Sequence, residues 1–291
     1  MTQILFVSGF NRSGTTLVTS AATAATKGGT LTVGHMARHM PSIDHFLREA
    51  KEKGTTPDRG VDQLRITEST PEEYGWLLLH TTGQFTFGDK AKESGILQTV
   101  IEEIAKDAEE PVVVLKNPFD VGNERLLLDS FPGSRLIMLR RRIGAIEHSL
   151  GRAWARMATN NEWVQALVGG PEYAGDFLGI VTDPAKRDAM VKDSREKTRK
   201  TARTIARDAA KLPLDRTAFL SYDELRADPA KGAAWAAHLF DPGAFASAIS
   251  GLTFPEYHHE RSDSPVAQVI DAYWAWSWRR VRARQRRLGI L

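Results

Sequence analysis

Near its start the chain reads ILFVSGFNRSGTT, residues 4–16. An apolar run, a glycine turn and a helical pattern place several backbone N–H groups at one helix N-terminus. Those donors and the helix dipole make an anion site. Gly9 and Gly14 permit the tight turn. Ser13, Thr15 and Thr16 add hydroxyls, and Arg12 adds a fixed guanidinium fork. A second group of residues has the same character. In RLIMLRRRIGAIEHS, 135–149, a strand ends in Arg140, Arg141 and Arg142, a helix starts, and Ser149 follows eight residues after Arg141. Two separated phosphate sites on one nucleotide suggest an adenosine with a 5′ group and a 3′-phosphate.

The residue types also argue against one chemistry. Kinases that use ATP or GTP carry a lysine where this chain has Thr15, and a neighbouring strand delivers an aspartate that holds magnesium. Here the strand PVVVLK ends in Lys116, and RLIML ends in Arg140 and Arg141. Both strands deliver positive charge where a metal-holding carboxylate would stand. The site therefore reads as one that binds an anion with side chains alone. A P-loop phosphotransferase using ATP or GTP with magnesium is the alternative reading, and a non-catalytic nucleotide or nucleic-acid binder is a third.

These residues need a scaffold that brings strand ends together. Strand and helix patterns alternate along the chain, which predicts an α/β fold, a central parallel sheet with helices on both faces. Strands are expected at 4–8, 30–33, 111–116, 135–139 and 217–222. Helices are expected at 14–26, 41–54, about 72–80, 96–108, 123–130, 143–158, 186–211 and from about 265. Residues 160–185 read as loop-rich. There is no internal repeat or low-complexity linker, so the reading is one domain, 1–291, with an irregular insert at about 36–110 that shapes an acceptor pocket.

The ordered blocks resemble the sulfotransferases that use 3′-phosphoadenosine-5′-phosphosulfate (PAPS), in their bacterial-type form. Their first loop commonly reads PRSGTT or PKSGTT; here it is NRSGTT. Their second block has FP-x-A-R, a strand, Arg-Asp-Pro and a later serine; here it is FPGSRLIMLRRRIGAIEHS. VLKNP is similar to their Lys-x-Pro after a central strand, and FLSYDELRADP to their YEDL…P segment. The resemblance implies a three-layer α/β/α, P-loop-type fold and transfer of a sulfuryl group from PAPS to an acceptor, with release of adenosine 3′,5′-bisphosphate (PAP) and no metal required. It implies that Asn11, Arg12, Ser13, Gly14, Thr15 and Thr16 bind the 5′-phosphosulfate. Arg141 and Ser149 would bind the 3′-phosphate, Tyr222 would lie against adenine, and Lys116 would face the sulfuryl group. Arg142 and Ile143 stand where the family has Asp and Pro.

Sulfuryl transfer also needs a general base. Some relatives use a histidine two residues after the strand-end lysine, a position held here by Pro118. Others use a glutamate just past the second strand. His35 is the first ionisable residue past TLTVG, and it is the expected base; His39, Asp44, His45, Glu68 and His80 are its rivals. A metal cluster of His35, His39 and Asp44 is the weaker alternative.

Composition bounds the rest. With 42% hydrophobic and 26% charged residues the chain reads as a globular protein. No apolar run has the length to span a bilayer, and no signal-peptide pattern is seen, so no integral membrane association is expected. Zero cysteines exclude thiolate metal sites and fit a cytoplasmic location. A net charge of +3 gives no bulk attraction to nucleic acid. The expected acceptor is a hydroxyl of a small molecule, glycan or lipid. The tail VIDAYWAWSWRRVRARQRRLGIL mixes aromatics with six arginines. It reads as a helix packed by its aromatics, with an anionic acceptor, membrane headgroups or a partner chain as alternatives.

Overall fold

Strands β1 (Gln3–Ser8), β2 (Gly29–Thr30), β3 (Val112–Lys116), β4 (Arg135–Arg140) and β5 (Thr217–Ser221) form one sheet in the order β2-β3-β1-β4-β5. Every pairing is parallel. The computed structural model describes residues 2–59, 65–157, 161–169, 179–180, 182–252 and 264–291.

The strands are apolar on both sides because both sides are covered. Leu5, Val7, Val114, Ile137, Leu139 and Leu220 face α1 (Thr15–Thr26) and, later in the chain, α11 (Tyr222–Ala227), α12 (Pro229–Ala233) and α13 (Pro242–Ser250). Phe6, Val113, Leu115, Leu136, Met138 and Phe219 face the opposite layer. That layer holds α2 (Val33–Ala37), α3 (Pro41–Glu52), α4 (Tyr74–Thr82), α5 (Asp89–Ser94), α6 (Ile96–Asp107), α7 (Glu124–Ser130), α8 (Ile143–Met157), α9 (Asn161–Val168), α10 (Pro184–Asp208) and α14 (Pro265–Arg287). Each such side chain contributes about 1.5–3 kcal/mol by leaving water. The three-layer α/β/α reading stands.

Two local expectations change. The second strand is only Gly29–Thr30, not 30–33, because Thr32 caps a helix instead: its side chain accepts from the His35 N–H while the His35 ring accepts from the Thr32 N–H. Within the segment read as loop-rich, 161–168 form α9. Trp163, Val164, Ala166 and Leu167 make a buried helical stripe, and Trp163 packs on Phe46 with ring centroids 5.2 Å apart. Residues 170–178 and 181 of that segment lie outside the described residues.

The register aligns the strand ends. Val7 lies beside Lys116 and also beside Ile137, and Arg140 lies beside Ser221. Strand order reverses direction around β1, and in open parallel sheets that switch point at the carboxyl edge is where ligands sit.

Candidate functional site

The loop after β1 turns over glycine. A side chain at Gly9 would press on Ser13 Oγ at 2.7 Å and on the Leu139 carbonyl at 2.9 Å. Gly14 has φ +95°, and a Cβ there would strike the Tyr222 ring. Arg12 also takes a left-handed backbone, φ 70°. This places its side chain toward α8, where Nε donates to Ser149 Oγ at 3.0 Å. Arg141, at the end of β4, donates from a terminal nitrogen to the Arg12 carbonyl at 2.6 Å. Its guanidinium lies 4.5 Å from the centre of the Tyr222 ring, and Tyr222 in turn covers Gly14. The structure thus joins residues from three strand ends and one helix: Arg12, Gly14, Arg141, Ser149 and Tyr222. Ser13 is fully buried and its hydroxyl has no hydrogen-bond partner among the described residues. Thr15 is buried at the first turn of α1 and Thr16 and Asn11 are half-buried at the loop. A glycine-lined turn with an orphaned buried hydroxyl fits a bound anionic group.

The start of α8 has its own solution. The sulfotransferase pattern that this sequence resembles places Asp-Pro where Arg142 and Ile143 stand. Proline has no N–H to satisfy, whereas Ile143 exposes one at the first helical turn. Both carboxylate oxygens of Asp271 accept from it at 3.0 Å. Asp271 belongs to α14, so the partner of this N–H comes from a helix far along the sequence. The same helix packs Trp274 edge-on against Phe10 of the loop, with centroids 5.7 Å apart.

On the other side of β1, Lys116 is buried at the end of β3 and pairs with Glu73 Oε1. Arg59 forms the next link: its terminal nitrogen lies 3.1 Å from Glu73 Oε2, and its Nε lies 3.0 Å from Glu72 Oε1. Two cations and two carboxylates so form one buried chain. Burial works to raise Glu73, but the Lys116 ammonium and the Arg59 guanidinium outweigh it and hold the carboxyl well below its usual range. Burial dominates at Glu72 and pushes it well above that range, against the pull of Arg59. Glu73 reaches Lys116 because α4 packs tightly on the end of β3: a Cβ at Gly75 would meet Asn117 Oδ1 at 2.5 Å. Asn117 is itself held by Asp120, which also accepts from Tyr74 Oη at 2.6 Å.

His35 is not brought to Arg12 or Lys116. Among the described residues its ring is held by Thr32, with Nδ1 2.8 Å from Oγ1, and by Asp107, with Nε2 3.4 Å from Oδ2. It lines a separate groove between the C-terminal ends of α1 and α6. Burial lowers it from its ordinary 6.5, Arg38 adds to that, and Asp107 opposes it. The rivals are also elsewhere: His39 pairs with Glu103 at 3.1 Å, Asp44 with Arg48 at 3.1 Å, and His45, Glu68 and His80 are exposed. Among the described residues no group of three or more His, Asp and Glu side chains is disposed to hold a metal.

The signal that could have found Glu73 is spatial. Thr32 and Pro71 form an antiparallel bridge, and the Glu72 N–H donates to the Leu31 carbonyl at 3.0 Å. The pair Glu72–Glu73 thus sits just past the second strand in space, forty positions later in sequence.

Comparison with known proteins bears on this geometry. The pattern of the sulfotransferase family matches residues 5–234. No curated protein sequence matches the chain. Among solved structures, the sulfotransferase STF9 from Mycobacterium avium is 14% identical over 94% of this chain and 76% of that one, with a TM-score of 0.56. The sulfotransferase STF1 from Mycobacterium tuberculosis H37Rv is 16% identical over 95% of this chain and 77% of that one, with a TM-score of 0.45. At such identities the likeness to the first is one of fold.

Proposed function

The chain belongs to the sulfotransferase family, and from that premise we propose that it moves a sulfuryl group from PAPS to an acceptor hydroxyl and releases PAP. The observation that carries this reading is the joining of the two anion anchors: Arg12 bonds to Ser149, and Arg141 bonds to the Arg12 carbonyl. Two fixed guanidinium groups beside a serine hydroxyl and a glycine turn match a nucleotide with a 5′ group and a 3′-phosphate better than a triphosphate that needs magnesium. The Lys116 and Arg140 strand ends do not favour the kinase alternative.

In this reading Asn11, Arg12, Ser13, Thr15 and Thr16 hold the 5′ group with the first-turn amides of α1, and Gly14 keeps the loop close to it. Arg141 and Ser149 hold the 3′-phosphate, and Tyr222 borders adenine. The donor supplies the sulfuryl group and a phosphate that leaves with the bridging oxygen. Arg12 and Lys116 offset the charge that gathers on that oxygen. Glu73, in place of His35, takes the acceptor's proton at its Oε1. Lys116 keeps that carboxylate ionised until it turns toward the leaving oxygen; Glu73 then loses its strongest partner and becomes more basic. The acceptor itself is a small molecule, glycan or lipid hydroxyl, received against α3–α6.

Calorimetric titration of PAP without magnesium, against the protein and against Arg141→Ala, tests this reading, with ATP as control. Removing two charge-assisted hydrogen bonds is expected to cost about 2–4 kcal/mol, roughly 30- to 1000-fold in affinity. An absence of PAP binding, or ATP binding that depends on magnesium, overturns it.

A further inference from the structure

The final helix has two faces with different partners. Its inner face is spent on the fold: Trp274 and Trp278 are buried, Asp271 caps α8, and Arg282 pairs with Glu224 and donates to the Phe219 carbonyl. Among the described residues its outer face has no such cover. Val266, Val269, Tyr273 and Trp276 repeat at spacings of three, four and three, so they line one side of the helix. All four are exposed, Val269 by 70%. Tyr273 and Trp276 stack with centroids 5.8 Å apart, and Arg280 lies 4.7 Å over the Trp276 ring. The next turns on the same side carry Arg280, Arg284 and Arg287. Of the six arginines on this helix only Arg282 is ion-paired among the described residues, and its one acid, Asp271, is turned inward to α8.

We propose that this outer face docks the protein on an anionic lipid surface. Single exposed apolar residues need no explanation, but a contiguous aromatic and aliphatic stripe that runs into unmatched arginines does. Such a helix lies in the plane of a bilayer interface, its apolar turns among the acyl boundary and its cations on the headgroup phosphates. Trp and Tyr suit that boundary because each has an apolar body and a polar edge. A second copy of the chain fits less well, since pairing these helices brings two sets of unmatched arginines together. A polyanion such as nucleic acid answers the arginines and leaves the valines in water. The inner face of the same helix touches Phe10 and the start of α8, so the docked surface stands one helix diameter, about 10 Å, from the anion loop.

The inference does not depend on the sulfotransferase chemistry, and its test uses binding alone. The full chain is mixed with vesicles of phosphatidylcholine and with vesicles that also contain phosphatidylglycerol, and bound protein is measured by flotation. Two double variants accompany it: Val269→Ser with Trp276→Ser, and Arg280→Gln with Arg287→Gln. Both change exposed side chains, and their unfolding curves check that the fold is kept. Binding to the anionic vesicles is expected to exceed that to the neutral ones at least about tenfold and to fall steeply at high salt. Each arginine removed should weaken it roughly fivefold, and the apolar variant should weaken it by about tenfold or more and lose the tryptophan blue shift seen on binding. Three results overturn the proposal. One is the absence of preference for anionic vesicles. Another is binding that the apolar variant retains in full, which marks simple attraction to a polyanion. The last is a sedimentation-velocity dimer that the Trp276→Ser change dissolves, which assigns the face to a second copy.

Discussion

The two sides of β1 treat positive charge differently. Toward β4 and β5, Arg12 meets a serine hydroxyl and Arg141 meets a carbonyl and an aromatic ring. Toward β3 and β2, Lys116 and Arg59 meet the carboxylates of Glu73 and Glu72. Neutral partners such as these orient a guanidinium without cancelling its charge. Carboxylate partners cancel the charge and tune each other's protonation. In the function proposed above, one flank holds an anion and the other keeps a base and its counter-ion in reserve.

The division is tested by changes that hit one flank alone. The largest effect is expected at Glu73→Gln: turnover, read as PAP release from PAPS with an acceptor hydroxyl, should fall by about 10²- to 10⁴-fold. PAP affinity should stay within about threefold of the original. If affinity collapses as well, the two flanks are not separable. Next comes Arg141→Ala, whose loss of about 2–4 kcal/mol in PAP binding should leave the Glu73 flank intact. Asp271→Ala removes the carboxylate at the start of α8. It should lower stability by about 0.5–2 kcal/mol, which a thermal melt reads as a drop of roughly 2–4 °C per kcal/mol.

The smallest effects belong to the histidines. His35→Gln should leave turnover within about threefold, where removing a true general base costs far more. A loss of a hundredfold would return His35 to the reaction. His35 and His238 are both lowered by burial from 6.5, so each gains a proton more readily unfolded than folded. The stability they contribute is full above 6.5 and is lost as pH falls below it toward their folded values. The melting temperature should decline over that range, and His35→Gln should flatten the decline.

Four of the five strands were legible because they are largely apolar runs, a pattern that double-sided burial demands, whereas β2, Gly29–Thr30, is not one. The grouping of Arg12, Arg141 and Ser149 was legible for a related reason: Arg12, Ser13 and Gly14 are neighbours in sequence, and Arg141 and Ser149 share one strand–helix unit. The base was not. His35 follows the second strand in sequence, but its ring is taken up in a cap with Thr32, an arrangement hidden because the usual partner at that position is Glu or Gln. Glu73 arrives through the Thr32–Pro71 bridge, and nothing local in STPEEYGW announces such a pairing. The helix at 161–168 was hidden by its shortness: eight residues give two turns of periodicity, too few to stand out from a loop. In the tail, the packing expectation holds for Trp274 and Trp278 and fails for Tyr273 and Trp276, since the aromatics divide between the two faces of one helix.

The capping of α8 by Asp271 also has a consequence in time. Ile143 and its carboxylate partner are 128 residues apart. A ribosome adding about 5–20 residues per second leaves roughly 6–26 s between them. Through that interval β1, β3 and β4 can already pair, while the helix that carries Ser149 still starts on an unanswered N–H. The nascent chain therefore completes the loop after β1 well before the start of α8 gains its partner, and in the proposed function a nucleotide meeting it early finds only half a site.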